Sequence, residues 1–199
     1  MRKVYLNHDG GVDDLVSLYL LLKMEDVELV GVGVIEADCY LLPAVEASKK
    51  IIHKFGSEKD KQLKVASSDS RPVNPFPKEW RMHAFTVDAL PILNEHKPIT
   101  VQDSPLKAHE DLIRALKESN EKVDLVFVGP LTDLARALDQ DPTIEENIGK
   151  LYWMGGTFLD MGNVEDPEHD GTAEWNVYWD PFAAKRVLES GIQIELVAL

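Results

Sequence analysis

An α/β fold with a mostly parallel sheet flanked by helices is the class this sequence predicts, and two observations predict it. Short apolar runs rich in β-branched and aromatic residues alternate along the chain with amphipathic runs of helical period. Most of the apolar runs are hydrophobic at consecutive positions, as strands are when helices cover both faces of their sheet.

The first strand is expected at Lys3–Leu6, followed by a turn carrying two glycines and by a leucine-rich helix over Asp14–Met24. A valine-rich run, Val27–Ile35, gives the second strand and Pro43–Phe55 the second helix. A charged loop, Gly56–Gln62, leads to a third strand at Leu63–Ala66 and then to Ser67–Trp80, a segment rich in Ser and Pro. Helical period returns over Pro105–Ser119, strand character at Val123–Val128, helix at Leu131–Leu138 and strand at Leu151–Met154. The polar stretch Asp160–Trp175 has the length of an active-site loop, and an acidic surface loop is its ordinary alternative. A last helix, Pro181–Ser190, and a last strand, Ile192–Leu199, complete an alternation that reads as a Rossmann-like core. Ligands of such sheets bind at the carboxyl ends of the strands. Asn7–Asp9, Glu36–Asp38, Val128–Gly129 and Met154–Gly156 are therefore expected to share one crevice.

The 199 residues suit a single domain over 1–199, and 44% hydrophobic residues supply its core. A net charge of 21 − 35 = −14 disfavours nucleic acid and anionic membrane surfaces and is compatible with cation binding. No apolar run is long enough to span a bilayer, and the start of the chain has no signal-like segment, so a cytoplasmic location is expected. The single cysteine, Cys39, excludes an internal disulfide and reads as a packing residue. The six histidines show no paired spacing of a zinc site. The last strand ends with nothing to cover it, so the chain reads as cut short.

The chemistry concentrates in "HDGGVDD" at residues 8–14. Asp9, Asp13 and Asp14 repel one another unless a cation or hydrogen bonds take up their charge. Capping of the following helix accounts for one of the three. Oxygen ligands select a hard ion, and Ca²⁺ suits scattered carboxylates plus a main-chain carbonyl better than Mg²⁺ does. A phosphatase of the haloacid-dehalogenase type is the rival for these letters. It needs a nucleophilic Asp where this chain has Asn7.

"HDGGVDD" resembles the metal motif of the nucleoside hydrolases, calcium-dependent N-glycosidases of parallel α/β fold. "EADC" at 36–39, "VNPFPKEWR" at 73–81, "VGPLTDLA" at 128–135, "MGG" at 154–156, "GNV" at 162–164 and "DGTAEWNVYWDP" at 170–181 follow in order. Together they resemble the purine-specific inosine-adenosine-guanosine branch over nearly the whole chain. The resemblance implies that Asp9 is a metal ligand and the base that deprotonates water. It makes Asp14 a second metal ligand and Val128 a third through its carbonyl. Asp13, Asn163, Glu174 and Asn176 match positions that hold the ribose hydroxyls, Met154 packs on the sugar, Asp38 faces ribose or base, and Trp80 stacks on the purine. Asn7 stands where the family has Asp, and Gly11 where the purine branch often has Asn. A further metal-binding Asp and a second stacking Trp belong to a C-terminal part beyond residue 199. The implied activity is Ca²⁺-dependent hydrolysis of purine ribonucleosides to base and ribose, in purine salvage, by a homo-oligomer (dimer or tetramer). The alternative is a non-catalytic nucleoside- or ribose-binding relative.

Overall fold

The computed structural model of the chain describes residues 1–77, 84–95, 98–159 and 161–199. Among these, seven strands form one sheet: β1 (Arg2–His8), β2 (Val27–Val34), β3 (Lys64–Ser67), β4 (Gln102–Asp103), β5 (Val123–Phe127), β6 (Ile148–Met154) and β7 (Ile194–Val197). Their order is β4-β3-β2-β1-β5-β6-β7, and every neighbouring pair is parallel. Six helices accompany them: α1 (Val12–Lys23), α2 (Leu41–Phe55), α3 (Ala108–Glu118), α4 (Thr132–Gln140), α5 (Trp175–Trp179) and α6 (Pro181–Leu188).

Side-chain alternation along β1 explains why helices cover both faces. Val4 and Leu6 point into one core with Leu15 and Leu18 of α1 and Ala44, Val45 and Ile52 of α2. Tyr5 points into the other, with Leu112 and Leu116 of α3, Leu134 and Leu138 of α4 and Val187 of α6. Each such large apolar side chain, once buried, contributes about 1.5–3 kcal/mol, so a strand apolar at every position is stable only between two helical layers.

The strand order places the site. β1 to β4 step outward to one edge, and the chain then returns to lay β5 against the free side of β1. Beyond the carboxyl ends of β1 and β5 the two halves diverge, leaving the crevice where doubly wound sheets bind their ligands.

Several boundaries differ from those expected. β4 carries only the exposed Gln102 and Asp103, without an apolar pattern to reveal it. α5 starts at the last residue of the polar loop, five residues long and too short for a helical period. α3 begins at Ala108 rather than Pro105, because Glu110 reaches back to accept the Lys107 N–H at 3.0 Å. β6 starts at Ile148, three residues early, after a 3₁₀ turn over Pro142–Asn147. β7 is the sheet's edge among the described residues, half-buried and exposed by turns rather than buried on both faces. No helix among the described residues is long and apolar enough to cross a membrane.

Candidate active site

The turn between β1 and α1 is built around Asp14. Its Oδ2 accepts three successive main-chain N–H groups, from Asp9 at 3.1 Å, Gly10 at 3.0 Å and Gly11 at 3.1 Å. Gly10 makes this concave arrangement possible with φ +89, and a Cβ there would lie 2.4 Å from the Ala44 Cβ. Asp14 thus caps the first turn of α1, as the plain reading of an acidic residue there expects, and also wraps the chain end that carries Asp9.

Asp9 lies across from Asp14 and is buried. Its Oδ2 accepts the Asp38 N–H at 2.9 Å, and its carbonyl accepts the Cys39 N–H at 3.1 Å. Burial pushes the Asp9 carboxyl up to about 6, with the nearby Asp38 charge adding to the rise. Asp14 is raised too, first by burial and then by the charge of Asp9. The neighbouring His8 is neutral: burial lowers it to about 4, its Nδ1 accepts the Gly10 N–H and its Nε2 meets the Ser48 hydroxyl. Ser48 donates onward to the Ala44 carbonyl, so the tautomer with hydrogen on Nε2 satisfies every partner.

These groups open into a cavity of about 220 Å³ lined by Asp9, Gly11, Asp13, Asp14, Asp38, Phe76, Val128, Met154, Asn163, Glu174, Trp175, Asn176 and Trp179. It therefore brings together nine of the residues singled out from sequence and the main chain of Val128 among them. Trp80, the tenth, lies outside the described residues. β5 closes on Asp9 through Gly129, where a Cβ would sit 3.0 Å from Asp9 Oδ1. On the opposite side Asn176 donates through Nδ2 to the carbonyls of Val128 (3.2 Å) and Met154 (2.9 Å), tying α5 to the ends of β5 and β6. Its Oδ1 is buried and has no partner among the described residues.

Glu174 is buried as the N-cap of α5. Oε1 accepts from Asn176 N at 2.9 Å, and Oε2 from Gly156 N at 2.8 Å and Val177 N at 3.2 Å. Burial raises its carboxyl, and these three donors oppose the rise. Asn163 is exposed and accepts the Trp175 N–H at 3.0 Å.

Sequence reasoning assigned no part to Phe76, Trp175 and Trp179, which form an aromatic wall. Phe76 meets Trp175 and Trp179 edge-on at 4.9 and 5.5 Å between ring centroids. Asn74 holds the wall together by donating to the carbonyls of Trp179 (2.9 Å, from N) and Tyr178 (2.6 Å, from Nδ2). The letters stand in "NPFPKEW" and "DGTAEWNVYWDP", but only the fold makes them neighbours.

Asn7, an amide where the family has Asp, brings one carboxylate fewer to its own position. Its buried amide donates to Asp133 Oδ2 at 3.1 Å, so a carboxyl group from α4 adjoins it.

Five carboxylates line the cavity, Asp9, Asp13, Asp14, Asp38 and Glu174, of which Asp9, Asp14 and Glu174 are buried, and Val128 lines it as well. Among the described residues no group of three or more His, Cys, Asp or Glu side chains is gathered to hold a metal ion. Two facing carboxylates with no Lys or Arg among the described lining residues nevertheless suit a hard cation, as purely oxygen donors do.

A doubly wound sheet with an acidic, aromatic-walled crevice at its switch point defines an α/β protein whose cavity sets carboxylates beside flat apolar rings. The chain belongs to the inosine-uridine preferring nucleoside hydrolase family, whose family model matches residues 4–199. The inosine-uridine preferring nucleoside hydrolase from Bacillus anthracis has a crystal structure that superposes with a TM-score of 0.95 at 60% identity, covering 100% of this chain and 65% of that one. "Probable uridine nucleosidase 2" of Oryza sativa subsp. japonica is 26% identical over 198 residues, 100% of this chain and 56% of the relative. A pyrimidine-specific ribonucleoside hydrolase of Escherichia coli (strain SE11) is 26% identical over 202 residues, 100% of this chain and 59% of the relative. The chain thus spans between 56% and 65% of the length of these relatives.

Proposed function

We propose that the protein hydrolyses the N-glycosidic bond of ribonucleosides, with Ca²⁺ as cofactor and a preference for purine bases. The observation that carries this reading is the convergence of Asp9, Asp14 and the main chain of Val128 at one cavity with Asn163, Glu174 and Asn176. Asp9, Asp14 and the Val128 carbonyl would hold the cation. When bound, it supplies positive charge that orients the ribose hydroxyls and acidifies a water.

Asp9 then takes the proton of the attacking water, as a buried carboxylate lining the cavity. Breaking the C–N bond builds positive charge on the sugar ring, and the buried Glu174 stabilises that charge more than the neutral ground state. Its three N–H partners fix it, so it need not reorganise during the reaction. The unpartnered Oδ1 of Asn176 offers an acceptor to a ribose hydroxyl, alongside Asp13 and Asn163 at the rim. Met154 packs on the sugar and Asp38 contacts ribose or base. Phe76, Trp175 and Trp179 give the base an apolar wall, and Trp80 is assigned to stack on it.

Names among the relatives cover inosine, uridine and pyrimidine ribonucleosides, so base preference rests on the motif resemblance and this aromatic wall. The binding-only alternative rests on Asn7 and on the family's further metal and stacking residues lying beyond residue 199, and the Asn7–Asp133 pair bears on the first ground alone, since it sets a carboxyl group against Asn7. The test is reducing-sugar release from inosine and from uridine by the protein at its natural length, with Ca²⁺ or with a chelator. No release from either nucleoside, with binding retained, would select the binding-only reading. Release unaffected by the chelator would remove Ca²⁺, and faster release from uridine would reverse the base preference.

A further inference from the structure

Beneath the cavity lies a carboxylate that the mechanism leaves unused. Asp133, in the first turn of α4, is fully buried, and each of its oxygens has one side-chain donor. Oδ2 accepts from Asn7 Nδ2 at 3.1 Å and Oδ1 from the Ser68 hydroxyl at 2.7 Å. The three residues come from the carboxyl ends of β1 and β3 and from the helix that follows β5, so one carboxylate pins three separate parts of the sheet.

Asn7 transmits this outward in two ways. It lies near the end of β1, two positions before Asp9, which follows directly on the strand, so a short stretch of main chain joins the two. Its own carbonyl accepts the Val128 N–H at 3.1 Å, which sets the plane of the chain at the end of β5. We propose that Asp133 is a positioning residue: through Asn7 it sets the Asp9 carboxylate and the Val128 carbonyl, and it does so because positions 7 and 133 hold one amide and one carboxylate. This inference rests on the reading that Asp9 and Val128 hold the cation.

Complementarity, not the order of the two residues, is what the geometry demands. A buried carboxylate needs a donor opposite it, and two carboxyl groups at this distance could pair only by holding a proton between them, which changes both the charge and the geometry beside the site. The reverse pair keeps the same two bonds: Asn at 133 would turn its amide N–H₂ to Asp at 7 and its oxygen to the Ser68 hydroxyl.

The test compares the parent, Asn7→Asp, and Asn7→Asp with Asp133→Asn. Calorimetric Ca²⁺ titration gives one readout and hydrogen exchange of the Val128 amide the other. Asn7→Asp is expected to weaken Ca²⁺ binding by about 10–100-fold, as loss of a supporting partner around a metal site does, and to speed Val128 exchange. The double exchange is expected to restore both. If Asn7→Asp does not fold, recovery of folding and parental affinity in the double variant carries the same meaning. A lowered Tm with affinity and Val128 exchange unchanged, or a double variant no better than the single one, overturns the proposal. If the parent itself shows no Ca²⁺ heat, the cation reading fails on its own, and Val128 exchange alone decides whether the pair orders the end of β5.

Discussion

Asp9 and Asp14 face each other across the Gly10–Gly11 turn as two buried carboxyl groups within hydrogen-bonding reach, 2% and 3% exposed. Two like charges in a poorly solvated place cannot both remain ionised without compensation. Either the pair keeps a proton or a cation takes its place, and the chemistry of the site follows from which one is present.

Without a cation, the stability of the chain should therefore depend on pH in an unusual direction. The Asp9 carboxyl rises from 3.8 to about 6 on folding, and Asp14 is raised as well. Between those pH values the folded state binds more protons than the unfolded one, so the pair's contribution is full below about 4 and is lost as pH rises through about 6. Thermal melts with a chelator should show Tm falling across this window. Ca²⁺ should reverse the fall, and Asp14→Asn should flatten it. A Tm that rises through the window in the chelated parent would contradict the pairing, and Asp14→Ala that binds Ca²⁺ as the parent does would remove Asp14 from the ligand set.

Glu174 is expected to matter for folding as well as for turnover. Glu174→Ala leaves the N–H groups of Gly156, Asn176 and Val177 without their acceptor, at a cost of about 1–3 kcal/mol. Glu174→Gln should fall between parent and alanine variant, because its one amide oxygen still serves part of the set. Urea unfolding of the three proteins measures this, and equal midpoints would show that the cap does not hold α5.

Base selectivity is assigned to Trp80, since a bicyclic base offers an aromatic face more area than a pyrimidine does. Stacking contributes on the order of 1–3 kcal/mol per base. Trp80→Ala should thus reduce kcat/KM for inosine far more than for uridine. Equal losses would leave Trp80 a structural role only.

The parts of this site legible in sequence are the local ones. Asp9 and Asp14 sit five positions apart around paired glycines, so one turn brings them together and the letters alone suggest it. Alternating apolar runs likewise give the parallel sheet, because burial on both faces leaves no polar position from Leu29 to Val34 of β2. What escaped depends on long-range placement or on brevity. The Asn176–Val128 contact joins residues 48 apart, and the Phe76–Trp175 contact joins two motifs that each look like ordinary packing. The Asn7–Asp133 pair escapes for the same reason: the partners are 126 residues apart, and no spacing rule connects position 7 with position 133.

Asp9→Asn separates catalysis from binding. The amide oxygen can still approach a cation and can still accept the Asp38 N–H, so the turn should survive. What disappears is the proton acceptor. General-base catalysis contributes about 10²–10⁴-fold, and a weakened cation site adds to the loss, so hydrolysis of inosine should fall by at least that range while nucleoside binding largely persists. Asn7 cannot take over the proton, being an amide already committed to Asp133, and Asp14 is held by three N–H groups. The measurement is reducing-sugar release with Ca²⁺ in excess, by parent and variant at natural length, beside a direct binding assay. Comparable turnover by both would take Asp9 out of the mechanism and shift the search for the base to Asp13 and Asp38, the other carboxylates that line the cavity.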